Sequence, residues 1–200
     1  MLKQYHDPLL PEAGCDEAGR GCLAGPVFAA AVILPKDYVN HRLNDSKKLS
    51  ARTRALLREE ITRDAIAWAI ASCSNTEIDE MNILRASITA MHRAIDQLNH
   101  VPRLLLIDGN RFYPYKNIAH KTIIHGDAIY MSIAAASILA KTARDEMMEQ
   151  LNLQYPFYGW DKNKGYPTVI HRQGILEHGI SPYHRLSYNL LERQTKISFL

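Results

Sequence analysis

The sequence predicts an α/β fold with a partly antiparallel sheet. Three runs in the first part of the chain have the length and composition of short strands, and a helix, two more short strands and a long helix follow them. Carboxylates stand at or just beyond the ends of three of these strands. Because open α/β sheets place their sites at the carboxyl ends of strands, the same pattern predicts where a functional site lies.

The first part of the chain carries three predicted strands and one helix. Residues 14–17 form a short strand that ends in a glycine-rich turn, and the apolar residues 27–34 form a buried strand. Ser50 belongs to the residue types that cap helix N-termini, so we predict a helix that begins after it. Residues 65–71 form the third strand.

The middle of the chain combines a helix with two strands. Apolar residues recur at helical spacing over 82–98, which predicts an amphipathic helix. Residues 104–107 and 122–124 are short apolar runs. Each leads into a turn that carries an acid, Asp108 in the first case and Asp127 in the second. These runs predict two further strands.

The last part of the chain is predicted to be mostly helical. Residues 129–150 are rich in alanine and long enough for a major helix, whereas 155–168 are dense in Pro, Gly, Asn and Lys and predict a loop. We expect residues 169–200 to be helical with a break at 179–182.

The composition narrows the classes of protein that the chain could belong to. With 46% hydrophobic and 22% charged residues, it is typical of a globular protein and not of a disordered chain or a coiled coil. The uncharged stretch 22–35 is too short to span a bilayer, and residues 1–12 lack the apolar segment of a secretory signal. No Cys-x-x-Cys pair occurs, so we expect reduced, mostly buried cysteines and a cytoplasmic protein.

Basic charge is in excess in two separate segments. Residues 41–64 and 151–200 each carry a net charge of +3, whereas residues 1–40 and 65–150 are slightly acidic. A polyanion held by the basic segments over a group of carboxylates fits this distribution. Ordinary solvated faces carry surpluses of this size just as often, so both interpretations stay open.

Four carboxylates stand at the ends of predicted strands: Asp16, Glu17, Asp108 and Asp127. Mg²⁺ and Mn²⁺ take oxygen ligands and need only a few carboxylates besides water and substrate phosphates. Two such ions about 4 Å apart would activate a water and stabilise the leaving oxygen of a phosphodiester. The alternative is that these acids serve only in turns and helix caps.

The glycines that follow the first pair of acids allow two interpretations. Gly19 and Gly21 leave main-chain N–H groups free to approach a sugar and its phosphate, and Lys47 and Tyr166 would add a cation and a stacking face. On local sequence alone, a half-buried loop aromatic explains Tyr166 better. The glycines also resemble the dinucleotide-binding loop of an NAD-dependent oxidoreductase, but that loop opens a helix, whereas a strand follows Pro26 here.

Seven blocks of sequence together carry a family resemblance over almost the whole chain. They are Gly14-Cys15-Asp16-Glu17-Ala18-Gly19-Arg20-Gly21-Cys22-Leu23-Ala24-Gly25-Pro26-Val27, Asn44-Asp45-Ser46-Lys47-Lys48-Leu49-Ser50, Asp108-Gly109-Asn110, Gly126-Asp127, Ala134-Ala135-Ala136-Ser137-Ile138-Leu139-Ala140-Lys141, Lys164-Gly165-Tyr166 and His184-Arg185-Leu186-Ser187. In this order, the blocks resemble those of bacterial ribonuclease HII, the type 2 ribonuclease H family.

The resemblance implies a ribonuclease H-like fold in one domain over residues 1–200. Its central mixed sheet would be flanked by helices, with a C-terminal helical portion from about residue 168. By matching position, the four acids named above would be catalytic and would bind Mg²⁺ or Mn²⁺. Gly19, Arg20 and Gly21 would recognise the ribonucleotide 2′-OH, and Tyr166 would stack on the deoxyribose at the RNA–DNA junction.

The resemblance also implies a reaction. It is hydrolysis of the phosphodiester on the 5′ side of a ribonucleotide, in an RNA/DNA hybrid or embedded singly in duplex DNA, with 3′-hydroxyl and 5′-phosphate products from a two-metal-ion mechanism. The alternative is a non-catalytic binder of RNA–DNA junctions, which the presence of all four acids argues against. We expect a monomer that makes no membrane contact.

Further substrate contacts are expected from the remaining blocks. The expected set is Ser46, Lys47, Ser137, Lys141, Lys164, His184 and Arg185. We interpret His171, His178 and His184 as phosphate contacts or helix-surface groups, since no His-Glu-x-x-His zinc motif occurs. Asp145 lies well inside a predicted helix, so we expect it to serve a polar network and not to bind a metal.

The end of the chain carries one more motif. Gln194 to Phe199 reads Gln-Thr-Lys-Ile-Ser-Phe. It is similar to the Q-x-x-L-x-F peptide with which bacterial proteins dock on the replication sliding clamp. The alternative is an ordinary C-terminal tail without a partner.

Overall fold

The structure is a computed structural model that describes residues 2–191, and a five-stranded mixed sheet forms its centre. The strands are β1 (Glu12–Ala18), β2 (Val27–Ile33), β3 (Ala67–Cys73), β4 (Leu104–Asp108) and β5 (Ala119–Ile123). They lie in the order β3-β2-β1-β4-β5, in which β1, β4 and β5 are parallel and the β1–β2 and β2–β3 pairs are antiparallel. The predicted α/β class with a partly antiparallel sheet is confirmed.

Helices cover both faces of the sheet. They are α1 (Ala51–Asp64), α2 (Asn75–Met81), α3 (Ile83–Asp96), α4 (Met131–Gln154), α5 (Trp160–Asn163) and α6 (Val169–His178). Ser50 caps α1 as predicted, because its side chain accepts the Thr53 main-chain N–H. Across residues 2–191, no helix is both long enough and apolar enough to cross a membrane.

The alternation of side chains along β2 divides the core into two layers. Ala29 and Ala31 pack with α3 in one buried cluster, whereas Ala30 and Val32 pack with α1 and α4 in another. Because both faces are covered, β2 is apolar throughout, as expected for a strand buried on both sides.

The central strand β1 lies directly against the backbone of α4. A Cβ atom added at Gly14 would overlap the main chain of Ser132 and Ile133, so only glycine allows this approach. The close contact brings α4 beneath the end of β1, where Asp16 and Glu17 follow. The position of the first two acids is therefore fixed by packing against the longest helix.

The C-terminal part agrees with the prediction in α6 and differs beyond it. The predicted C-terminal helical portion is confirmed by α6, which ends at His178, just before the predicted break. The prediction of a second helix after the break is wrong for the residues up to 191. Instead, the Gly25 N–H donates to the carbonyl of Tyr183, and the Arg185 N–H donates to the carbonyl of Leu23. These bonds to the loop after β1 satisfy main-chain groups of residues 183–185 that would otherwise form helical hydrogen bonds. The motif from Gln194 to Phe199 lies outside the described residues.

Candidate active site

The carboxyl ends of β1 and β4 bring the first acids together. The two strands are parallel neighbours, and their register pairs Cys15 with Ile107. Asp16 and Asp108 are therefore the next residues on adjacent strands. Together with Glu17, they line a pocket of about 180 Å³.

Asp16 and Glu17 both line this pocket although they are neighbours in the chain. Asp16 is only 5% exposed, and its Oδ1 accepts the main-chain N–H of Glu17 at 2.7 Å. Glu17 pairs with Arg20, whose Nη1 lies 3.0 Å from its Oε1. The chain turns directly after the strand at Gly19, which adopts a positive φ of 99°.

The buried acids repel one another. Burial raises the pKa of Asp16 well above its usual range, and the charges of Glu17 and Asp108 raise it further. Burial also raises the pKa of Glu17, although Arg20 partly offsets this effect. The pocket therefore concentrates negative charge that a bound cation would neutralise.

Asp127 reaches the same region from a different element. It lies in the short turn Gly126–Ala128, which follows a left-handed His125 with φ of 56°. The Gly126 N–H donates to Oδ1 of Asp108 at 2.7 Å, so the turn is tied to the end of β4. Burial and the charge of Asp108 raise the pKa of Asp127.

Asp127 does not line the pocket itself. Its electrostatic neighbours are Asp45 and Lys47 as well as Asp108, which places it at the edge that faces the Lys47 loop. The structure thus brings three of the four predicted acids into one pocket and leaves the fourth beside it.

The donor set fits a hard divalent cation. Carboxylate oxygens are the ligands that Mg²⁺ and Mn²⁺ prefer, and the mutual repulsion of Asp16, Glu17 and Asp108 favours a cation between them. Within residues 2–191, no three His, Cys, Asp or Glu side chains form a ready-made metal cage. An open site of this kind suits an ion that keeps several waters and takes substrate oxygens as further ligands.

Two serines connect the acids to the loop before α1. Ser137 of α4 acts on Asp16, whose pKa its hydroxyl lowers, and Oγ of Ser137 lies 2.9 Å from Oγ of Ser46. Both serines are buried and line the pocket. The hydrogen bond between the two hydroxyls connects α4 to the loop before α1 next to the acids.

Lys47 is the cation that faces the carboxylates. Burial alone would lower its pKa, but the charges of Asp45, Asp127 and Asp16 outweigh that effect and raise the pKa. Its side chain also lines the pocket. Lys47 is thus placed to meet a phosphate that enters beside the acids.

Lys141 and Asp145 form an ion pair on α4. Lys141 Nζ donates to Oδ2 of Asp145 at 2.7 Å, and Arg54 Nη2 lies 3.5 Å from the same oxygen. Arg54 also donates to the carbonyls of Ser46 and Leu49. The prediction that Asp145 serves a polar network is confirmed, and this network holds the loop that carries Lys47.

The glycine turn and Tyr166 also line the pocket. Gly19, Arg20, Gly21 and Tyr166 all line it, and the Tyr166 side chain is 42% exposed. A Cβ atom at Gly21 would stand 3.8 Å from Cε1 of Tyr166, so main chain and ring are close neighbours. An exposed aromatic face beside free main chain suits contact with a sugar.

Three residues that were expected to contact the substrate do not place their side chains in the pocket. Lys164 turns towards α4, where its Nζ donates to Oε1 of Glu149 at 2.6 Å. His184 is 1% exposed and Arg185 is 0% exposed. Direct contact of His184 and Arg185 with substrate does not fit this burial, and we revise that expectation.

His171 and His184 belong to a buried aromatic cluster. Trp160 Nε1 donates to Nε2 of His171 at 3.0 Å, and Nε2 of His184 lies 3.1 Å from the same atom. Nδ1 of His184 accepts the Ser181 N–H, so its Nε2 carries the proton. The phosphate or surface role expected for His171 is therefore wrong.

The second ring nitrogen of His171, Nδ1, makes a main-chain contact. Because its Nε2 accepts from two donors, its Nδ1 carries the proton and donates to the carbonyl of Tyr166 at 2.9 Å. His178, by contrast, is half-exposed at the end of α6 and stacks on Phe157, as expected of a helix-surface group.

Comparison with known proteins gives a consistent result. The chain matches the family described as ribonuclease HII over residues 13–191. It is 61% identical over 200 residues to the ribonuclease HII of Bacteroides thetaiotaomicron, and the alignment covers 100% of both chains.

Solved structures share the fold. The ribonuclease H2 of Pyrococcus horikoshii matches with a TM-score of 0.75 and 25% identity, over 90% of this chain and 94% of that one. A chain of the PCNA:RNase HII complex from Archaeoglobus fulgidus matches with the same TM-score and identity, over 95% of this chain and 100% of that one. The similarity includes the mixed sheet and its flanking helices.

Proposed function

The chain belongs to the ribonuclease HII family and is a type 2 endoribonuclease H, and from this premise we propose that it cleaves on the 5′ side of ribonucleotides. Its substrates would be RNA/DNA hybrids and duplex DNA with a single embedded ribonucleotide. The products would carry 3′-hydroxyl and 5′-phosphate ends.

The observation that carries this proposal is that acids and a sugar-contacting surface line one small pocket. Asp16, Glu17 and Asp108 line it together with Gly21 and Tyr166. A scissile phosphate at the acids would therefore have its neighbouring sugar against the glycine turn. This arrangement supports hydrolysis of a phosphodiester next to a sugar that the protein itself recognises.

The four acids would hold Mg²⁺ or Mn²⁺. Asp16, Glu17 and Asp108 would provide the central ligands, and Asp127 would complete the set from its turn. Two bound ions would supply an activated water and would stabilise the leaving 3′ oxygen. The choice between Mg²⁺ and Mn²⁺ is open, since both prefer these oxygen ligands.

The chain's own residues would orient the reacting groups. The Glu17 main-chain N–H holds one oxygen of Asp16, and the Gly126 N–H does the same for Asp108. Lys47 would bind a phosphate oxygen, and Lys141 would meet the backbone from α4. Such positioning reduces the entropy that the reaction has to lose in reaching its transition state.

Substrate recognition would rest on the glycine turn and Tyr166. The main-chain N–H groups of Gly19, Arg20 and Gly21 would contact the ribonucleotide 2′-OH, and Tyr166 would stack on the next deoxyribose. The 2′-OH is the group that lets a protein distinguish RNA from DNA at one position. A protein that reads only this group would accept a single ribonucleotide.

A non-catalytic binder of RNA–DNA junctions is the alternative, and Asp16→Asn separates the two functions. We expect this variant to lose cleavage and to bind the duplex only modestly more weakly, because the substitution removes one of the proposed metal ligands and leaves the other substrate contacts in place. Asp37→Asn, at an exposed acid outside the pocket, is the matched control. Unchanged turnover in Asp16→Asn would show that the acids are misassigned.

We further propose a contact with the replication sliding clamp through Gln194 to Phe199. The archaeal relative bound to PCNA supports a clamp as a partner for this family. A fluorescence titration of a peptide with residues 190–200 against purified clamp tests it, with Gln194→Ala as control. Absence of saturable binding would contradict this partner.

A single catalytic domain, a monomeric state and a cytoplasmic location stay predictions.

A further inference from the structure

The glycine turn after β1, which comprises residues 19–21, is held by the buried side chain of Arg185. This side chain is too deeply buried to contact the substrate. Arg185 is 0% exposed. Its Nη2 donates to the carbonyl of Gly19 at 2.7 Å, and its Nη1 donates to the carbonyl of Arg20 at 2.9 Å. Its Nε donates to the carbonyl of Gly25 at 2.9 Å. One guanidinium therefore fixes three carbonyls of a single loop.

These contacts determine where the loop's N–H groups point. The described peptide bonds are all trans, so the C=O of one residue and the N–H of the next point in opposite directions. Because the carbonyls of Gly19 and Arg20 point to Arg185, the N–H groups of Arg20 and Gly21 point away from it. Both residues line the pocket.

The two N–H groups are available to a ligand. Within residues 2–191, neither the Arg20 N–H nor the Gly21 N–H donates to a protein acceptor. Paired, outward-facing main-chain donors are an effective recognition surface for an oxygen atom. Their direction is the property that the carbonyl contacts control.

Two neighbours strengthen the same arrangement. The hydroxyl of Tyr188 donates to the Arg20 carbonyl at 2.8 Å and accepts from Nη1 of Arg185 at 3.2 Å. On the other side, Arg144 packs directly against Gly19 and donates to the carbonyls of Ala24 and Lys164. Arg144 thus ties the glycine turn to the segment that carries Tyr166.

We propose that Arg185 is the positioning residue for ribonucleotide selectivity, because it aims the Arg20 and Gly21 N–H groups at the 2′-OH. The inference rests on the proposed function. A lysine would keep the charge but could not reach three carbonyls with one compact ammonium group. Arg185→Lys should therefore relax the two peptide planes and weaken discrimination between ribose and deoxyribose.

Binding to two duplexes that differ by one 2′-OH tests the inference. Fluorescence anisotropy measures the Kd of each duplex, with a chelator present to prevent cleavage. The selectivity ratio is the Kd of the all-DNA duplex divided by the Kd of the duplex with one ribonucleotide. We expect Arg185→Lys to lower this ratio by about 10-fold or more, since misplacing a recognition group by about 1 Å has effects of this size. The Kd of the all-DNA duplex should stay unchanged.

Two further variants keep the test decisive. Tyr188→Phe removes only the hydroxyl that also holds the Arg20 carbonyl, and it should lower the ratio by a smaller factor even if Arg185→Lys does not fold. Arg93→Lys is the matched control, because Arg93 also donates to a carbonyl, that of Ser72, but lies on α3. It should leave the ratio unchanged.

The outcomes separate this inference from the proposed function. If wild-type protein discriminates between the duplexes and both Arg185→Lys and Tyr188→Phe keep the full ratio, the positioning role is overturned and the proposed function stands. Equal loss of affinity for both duplexes also overturns it, since Arg185 then only supports the fold. If wild-type protein neither discriminates nor cleaves at a ribonucleotide, the proposed function fails and this inference fails with it.

Discussion

Oδ1 of Asp108 accepts the main-chain N–H of Gly126 at 2.7 Å. This bond connects the end of β4 to the turn that carries Asp127, so two acids that are far apart in the sequence are fixed by one contact. Asp108 also lines the pocket together with Asp16 and Glu17. Asp16 is held in a similar way, since its Oδ1 accepts the main-chain N–H of Glu17.

Ser137→Ala removes the hydroxyl that lowers the pKa of Asp16. We expect kcat to fall by about 10-fold, because this hydroxyl favours the charged carboxylate and polar interactions with a charged group contribute about 1.5–3 kcal/mol. Steady-state cleavage at saturating metal measures it. Ser132→Ala on the same helix is the control, since its buried Oγ has no partner within residues 2–191. Equal activity in both variants would contradict the role of Ser137.

Tyr166 is expected to act through its ring. Tyr166→Phe keeps the ring and should retain kcat/KM within about 3-fold, whereas Tyr166→Ala should lose about 10-fold or more, as stacking contributes about 1–3 kcal/mol. Tyr113→Ala removes another exposed tyrosine, outside the pocket, and should have no effect. If Tyr166→Ala cleaves a single-ribonucleotide duplex as well as wild type, stacking is not required.

Asp145→Asn tests the network that holds the Lys47 loop. We expect the free energy of unfolding to fall by about 1–3 kcal/mol, because Lys141 and Arg54 lose their shared carboxylate. Activity should be reduced but present, since Asp145 pairs with Lys141 and Arg54 and does not line the pocket of the acids. Urea unfolding and cleavage assays measure both quantities. Glu146→Gln, in an exposed surface pair with Arg58, should change stability by less than about 1 kcal/mol.

The buried histidines predict a loss of stability at acid pH. Burial lowers the pKa of His171, and burial together with His171 lowers the pKa of His184 to about 4. The unfolded chain binds protons at the ordinary histidine pKa of about 6.5, so it takes them up before the folded chain does. The contribution is therefore complete above about pH 6.5 and is lost as the pH falls towards 4.

Urea unfolding between pH 7.5 and 4.5 measures this effect. We expect the two histidines to account for a decrease on the order of 2 kcal/mol over this range. His184→Gln should flatten the dependence, whereas His178→Gln, at a half-exposed histidine, should leave it unchanged. A wild-type pH dependence that His184→Gln does not alter would contradict the buried, neutral state.

The sequence predicts the acids of the site well because of where strands end. Asp16 and Asp108 follow apolar runs that became neighbouring parallel strands, so their proximity follows from the sheet. The bounds of β5 were harder to predict, since this edge strand consists largely of exposed residues and has no apolar pattern beyond its end. The short helix α2 was not predicted, although its capping box of Ser74 and Glu77 could have indicated where it begins.

The supporting residues could not be predicted in the same way. Arg144 and Arg185 are buried by contacts with carbonyls more than 100 positions away in the chain, and nothing local distinguishes them from surface arginines. The same holds for His171 and His184, whose partners are each other and Trp160. Long-range polar packing leaves no periodic pattern in a sequence.

Cleavage of an end-labelled DNA duplex with one embedded ribonucleotide tests the central claim most directly. The reaction is run with Mg²⁺, with Mn²⁺ and with chelator, beside an all-DNA duplex of the same sequence. We predict a single metal-dependent nick on the 5′ side of the ribonucleotide and none in the all-DNA duplex. A nick elsewhere, cleavage in the presence of chelator, or retained junction binding without any nick would contradict the proposed endonuclease.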